Sequence, residues 1–182
     1  MRGEISVNRY LHKGFTLAEM LIVMAIIGIL ASMMMVSSTQ SVQTTKAGNI
    51  VSTLRNFASA AMTFYTDSMD YFTKNPGALS TDPEKMKSWV KKYMYSEGST
   101  VQDEGNYYVK NNSGTWWAGY DLTNVSDADG LKSRLQSRAQ AAGLKGSPSI
   151  SEYPVKISNS NKYTSYTTSH NVVWLLIRSN RL

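Results

Sequence analysis

Phe15 to Val36 reads FTLAEMLIVMAIIGILASMMMV, 22 residues with a single charge, Glu19. At about 1.5 Å per residue a helix of this length reaches about 33 Å, enough to cross a hydrocarbon layer of about 30 Å. No second run of this kind occurs in the 182 residues. The stretch therefore predicts one membrane-spanning helix. On one side, residues 1–14 carry Arg2, Arg9 and Lys13 against Glu4; on the other, Ser37 to Thr45 is uncharged. Basic flanks stay cytoplasmic, which places the amino terminus inside and the long carboxyl part outside. A secretory signal peptide has an apolar core of only about 7–15 residues and then a small-residue cleavage site. Here the run is longer, and Ala31-Ser32 passes straight into Met33-Met34-Met35. A plain single-span anchor is the stronger rival.

Glu19 is the anomaly in this run. A charged side chain at the centre of a membrane helix costs about 2.5–3.5 kcal/mol on insertion scales, so such residues are usually paired and functional. Glu19 lies five residues into the run, nearer an interface, where the carboxylate can also snorkel or take up a proton.

The residues before it narrow the reading. His12-Lys13-Gly14-Phe15-Thr16-Leu17-Ala18-Glu19 is a basic leader, a glycine, an aromatic that opens the apolar helix, and a glutamate four residues on. This resembles the cleavage and methylation signal of type IV pilins and pseudopilins, over roughly residues 9–40. The resemblance implies a prepilin peptidase that cuts between Gly14 and Phe15, and N-methylation of the new terminus at Phe15. It also implies that Glu19 is the family's acidic assembly residue. Its partners would be other pilin subunits, an inner-membrane assembly platform and that platform's ATPase. The chemistry is coherent on its own terms: the cut creates a cationic amine one helical turn from Glu19. In a bundle, a neighbour displaced along the axis brings its amine to that carboxylate. Two charges that are costly alone in low dielectric then match only at one height, a register device. Many family members carry a proline late in the run; here the first proline is Pro76. Gly28 remains as the candidate weak point of the helix, with close packing of a small residue as the equal alternative.

Beyond Thr45, Ala47, Ile50, Val51, Leu54, Phe57, Ala58, Ala61, Met62 and Tyr65 recur at steps of three and four. They predict one continuous helix from about Phe15 to about Asp70 whose second part (37–70) is amphipathic and needs a domain to pack on. Lys74-Asn75-Pro76-Gly77 ends it, and 71–182 is the expected extracytoplasmic head. Asp82-Pro83-Glu84 reads as an N-cap and proline start of a helix over about 83–95. Its Lys85, Lys87, Lys91 and Lys92 are read as a solvated face rather than a nucleic-acid surface. Tyr107-Tyr108-Val109 and Thr115-Trp116-Trp117 flank Asn111-Asn112-Ser113-Gly114 as a hairpin within Gly105 to Tyr120. Leu131, Leu135, Ala139 and Ala142 mark a helix ending near Gly143. Three strands are expected after it, about Tyr153–Ile157, Tyr163–Thr168 and Asn171–Arg178, the last well buried around Trp174. His170 is read as a turn residue. The fold class is thus α+β: a long amino-terminal helix packed on an antiparallel sheet, as in the pilin family.

The remaining composition mainly excludes. With no cysteine there is no disulfide, thiolate metal site or cysteine nucleophile, and His12 and His170 are too few for a histidine-built zinc site. No nucleophile elbow, phosphate loop, dinucleotide loop or zinc-protease motif occurs, and Asp103-Glu104 has no identifiable partner. Asp127-Ala128-Asp129-Gly130 begins like a calcium loop, but position twelve counted from Asp127 is Arg138, where a glutamate is required. Helix capping is the preferred reading, with Asp127 and Asp129 as a weak metal alternative; no cofactor is called for, and no enzyme. The leading function is a structural pilin or minor pilin of a type IV pilus-like filament. A pseudopilin of a secretion or DNA-uptake system is the alternative within the class, the latter alone bringing in nucleic acid. A membrane-anchored binding module that never polymerises is the alternative of another class. After the expected cut the side-chain charge falls from +6 to +4, since residues 1–14 hold three basic residues and one acidic; it could assist contact with DNA but is too diffuse to argue for it. Gly14→Val is expected to leave the full-length precursor; a mature-sized product in that variant, by intact mass, contradicts the peptidase assignment.

Overall fold

The computed structural model of the chain describes residues 14–75, 82–94, 104–112, 114–157 and 162–178. The readings on residues 1–13, on the hairpin tip at Ser113 and on the turn Ser158-Asn159-Ser160-Asn161 lie outside them. The elements are α1 (Leu17–Lys74), α2 (Pro83–Lys91), a single 3-10 turn (Glu104–Asn106), β1 (Tyr107–Asn112), β2 (Thr115–Asp121), α3 (Ala128–Ala142), β3 (Leu144–Ser147) and β4 (Val172–Arg178). The chain divides into two units, Met1–Gln40 and Ser41–Leu182.

The first unit holds the apolar part of α1. Every large apolar side chain from Leu17 to Val36 is exposed, so among the described residues this stretch has no buried core of its own. It is one helix long and apolar enough to cross a membrane, with a best window of mean hydropathy 2.5.

The second unit is an α+β head. Along α1 the buried stripe is Ala47, Ile50, Leu54, Phe57, Ala61 and Phe64, with Ala60 beside it. This corrects the outer end of the expected stripe. Met62 is 44% exposed, while Phe64 is buried between Trp89 at 5.8 Å and Trp116 at 6.1 Å between ring centroids. The spacing Ile50, Phe57, Phe64 repeats every seven residues, so the buried face turns toward Phe64 and leaves Met62 outside.

The sheet is antiparallel, in the order β1-β2-β4-β3. Successive residues of a strand point to opposite faces. Tyr107, Val109, Trp116, Ala118, Tyr120 and Val173 belong to the core shared with α1. Trp117, Val172 and Trp174 form a second cluster, joined by Ile150, Tyr153 and Tyr163. Both faces are therefore covered, one by the helix and the other by Ile150, Tyr153 and Tyr163. On that second face the Lys110 ammonium donates to the Ile150 carbonyl and sits 5.3 Å from the Tyr153 ring centroid; burial pulls its pKa down. Trp174 Nε1–H donates to Ser147 Oγ at 2.7 Å.

The hairpin and the last strand agree with expectation. The two other expected strands do not form. Tyr153–Ile157 and Tyr163–Thr168 make only the isolated bridges Lys156↔Tyr163 and Lys145↔Ser165. Pro154 withholds one donor, and the place beside β4 is taken by Leu144–Ser147, a strand too short and too glycine-rich to read as one. α2 is also shorter than expected, ending at Lys91. Its lysines are not simply a solvated face. Lys87 is buried and pairs with Glu84 at 2.9 Å, and Lys91 pairs with Glu104 at 2.7 Å, which gives Glu104 the partner the sequence did not show.

Gly119 faces Trp174 in the β2–β4 register, and a Cβ there would lie 2.4 Å from the indole ring. The missing side chain is what lets the tryptophan lie flat on the sheet. Gly119→Ala is expected to destabilise the head by about 1–3 kcal/mol. Gly105→Ala, where a Cβ meets nothing within 4 Å, should stay within about 0.5 kcal/mol of wild type. Urea unfolding of the full chain in detergent, followed by tryptophan fluorescence, separates the two.

Candidate processing and assembly site

Gly14 and Phe15 precede the first helical residue, Leu17, and both are exposed, Phe15 to 77%. Thr16 is the residue on which the helix starts. Its backbone N–H donates to Glu19 Oε2 at 2.7 Å and its hydroxyl donates to the same oxygen at 2.8 Å. The Glu19 N–H in turn donates to Thr16 Oγ1 at 3.2 Å. This is a capping box: a threonine and a glutamate three residues later satisfy each other's free backbone donors at a helix start. The motif is legible as Thr16-Leu17-Ala18-Glu19, although the expectation above gives Glu19 a charge and an assembly role and no part in a cap.

The box changes the electrostatics of Glu19. Its carboxylate sits at the positive end of the helix macrodipole and accepts two hydrogen bonds locally. Both fall on Oε2. Among the described residues Oε1 accepts none, so one oxygen is still open to a further donor. The same box closes an amide that lipid could not satisfy.

Gly28 lies within unbroken α1, and a Cβ there would meet nothing within 4 Å, so no contact among the described residues requires its small size. Asp127 stands at the N-cap position of α3 in a left-handed conformation (φ 58°, ψ 41°) and makes no side-chain cap. This corrects the capping reading. Its carboxylate instead accepts from Gln43 Nε2, joining the start of α3 to α1. Asp129 lies in the first turn of α3, and among the described residues no group of three or more His, Asp or Glu side chains is placed to hold a metal. His170 sits in a turn whose Thr167 N–H donates to its Nδ1 at 3.0 Å.

Residues 9–35 match the family described as the prokaryotic N-terminal methylation motif. The chain carries the prepilin-type cleavage and methylation signal of type IV pilins and pseudopilins. The signal ends at residue 35 and therefore speaks for the leader and the apolar helix, not for the head. It implies processing by a prepilin peptidase and assembly with other pilin-type subunits, and together with the apolar helix it marks membrane anchoring. Proteins of this type are in general structural rather than enzymatic. No curated protein and no solved structure matches the chain significantly.

Glu19→Gln keeps an acceptor for the Thr16 donors, whereas Glu19→Ala removes it. Loss of a capping acceptor costs about 1 kcal/mol. Hydrogen exchange on the full chain in micelles should show the amides of residues 16–19 exchanging about fivefold faster in Glu19→Ala and close to wild type in Glu19→Gln.

Proposed function

We propose that this chain is a structural subunit, a pilin or minor pilin, of a type IV pilus-like filament. A prepilin peptidase cuts between Gly14 and Phe15, Phe15 is N-methylated, and the subunit waits in the cytoplasmic membrane with residues 37–182 on the outer side. An assembly platform and its ATPase, both supplied in trans, then move it into the fibre, whose core is made of bundled 15–36 helices. The observation that carries this reading is the methylation signal lying in register with the helix start.

Three features support it. The apolar stretch Leu17–Val36 is exposed along its whole length and needs lipid or other helices around it. Burying each Leu, Ile or Met there is worth about 1.5–3 kcal/mol relative to water, so a bundle holds together once the helices leave the bilayer. Glu19 Oε1 is open for the amine of a neighbour's Phe15, while Oε2 stays with Thr16. That pair acts as a height gauge: a subunit out of register leaves both charges unmatched.

Mass spectrometry of the mature amino terminus, with electron microscopy of sheared surface material, tests the proposal. A chain beginning at N-methylated Phe15 and present in filaments is expected. Residues 1–14 retained on a chain absent from filaments would make it a non-polymerising anchor. Glu19→Ala and Glu19→Gln should both lose fibres or Phe15 methylation, since neither carries the charge; wild-type fibre yield in Glu19→Gln contradicts the pairing.

A further inference from the structure

Three arginines lie along one seam of the head. On α3, Leu131, Leu135 and Ala139 are buried, and Arg134 and Arg138, four residues apart, share the neighbouring flank. Arg138 meets α1 at Gly48, where a Cβ would stand 3.5 Å from one of its guanidinium nitrogens. Arg55 lies seven residues beyond Gly48 on the same face of α1. None of the three makes an ion pair, and all are described residues. The nearby carboxylates do not answer them. Asp127 accepts from Gln43, and Asp129, five residues before Arg134, is turned about 140° away around α3. The glycine removes the side chain that would otherwise fill the seam.

Unpaired guanidinium groups in a row select phosphate oxygens, which they bind in a planar fork. We infer that the α1–α3 seam, through Arg134, Arg138 and Arg55, binds the headgroups of anionic phospholipids before the subunit is assembled. The inference rests on the membrane reading proposed above. The choice of a lipid over a nucleic acid comes from the tether. Gly48 is only twelve residues along the chain from Val36, the last residue of the apolar run. A twelve-residue tether, about 18 Å as helix, keeps headgroups within reach at high effective concentration, so modest attraction suffices. Such contacts would dock the head on the outer leaflet and would be released on extraction into a fibre.

The chain has no cysteine, so Ser137→Cys, on the exposed side of α3, takes a single fluorescent label. The full chain is placed in lipid nanodiscs of phosphatidylcholine alone or with about 30% phosphatidylglycerol, each with a nitroxide on a small fraction of the headgroups. Quenching of the label should rise in the anionic discs. At about fivefold per arginine, R134Q/R138Q should lower the contact equilibrium about 25-fold, and R134K/R138K, which keeps the charges but not the planar fork, should fall between it and wild type. Tryptophan fluorescence shows whether the variants keep a folded head, and the single variants R134Q and R138Q, each lowering the contact about fivefold, carry the test if the double variant does not fold. Equal quenching in both discs overturns the proposal, as does an anionic-lipid effect that survives undiminished in a folded R134Q/R138Q. So does a response to duplex DNA in neutral discs, with the same arginine dependence and no response to lipid, which would make the seam a nucleic-acid site. Failure of the chain to co-elute with discs refutes the membrane reading itself. Co-elution without lipid-dependent quenching refutes the seam alone.

Discussion

Fourteen large apolar side chains between Leu17 and Val36 have no protein surface against them. Water is a poor environment for that surface. Everything else about the molecule accommodates this. The leader before it is basic, the segment after it is polar, and the amphipathic stripe begins only at Ala47, where a sheet is available to cover it. A helix apolar on all sides has two good solvents, lipid and other helices of its own kind. A filament subunit needs both in turn.

Glu19 gives that choice a direction. A bare carboxylate would penalise lipid, and a purely apolar helix would have no preferred height in a bundle. The capping box with Thr16 resolves the conflict inside one chain. One carboxylate oxygen stays occupied by the helix's own start, which lowers the cost of holding the charge in a membrane. The other oxygen remains unsatisfied and can discriminate a correctly placed amine from a misplaced one. On the proposed function, Thr16, Glu19 and a new terminus at Phe15 would act together as one device rather than as separate motif positions.

The sequence was most legible where a single physical signal acted alone. The apolar run, the hairpin around Gly114, the proline-started α2 and the strand bearing Trp174 could each be read from local pattern. It was least legible where several segments competed for one place. Tyr153–Ile157 and Tyr163–Thr168 look like strands by composition, yet β4 has room for one more neighbour, and Leu144–Ser147 fills it because α3 delivers it there directly through Gly143. Charges were misread for the same reason. Lys91 and Glu104 look solvated in sequence and Asp127 looks like a cap, and their partners come from residues brought near only by folding; Lys87 instead pairs with Glu84 one turn away in its own helix. At the candidate site, Gly14, Phe15 and Glu19 were legible as a motif. The role of Thr16 was missed although its signal, a threonine three residues before a glutamate, was in plain view.

The central claim is that the stretch from Leu17 to Val36 is covered by copies of itself outside the membrane. With no native cysteine, a single cysteine placed at Ile26 or Leu30 reports this by disulfide cross-linking in sheared surface material. The account predicts cross-linked dimers at one or both positions, lost when Glu19 is replaced by alanine. Surface material in which the chain stays monomeric at both positions, with wild-type Glu19, would contradict it.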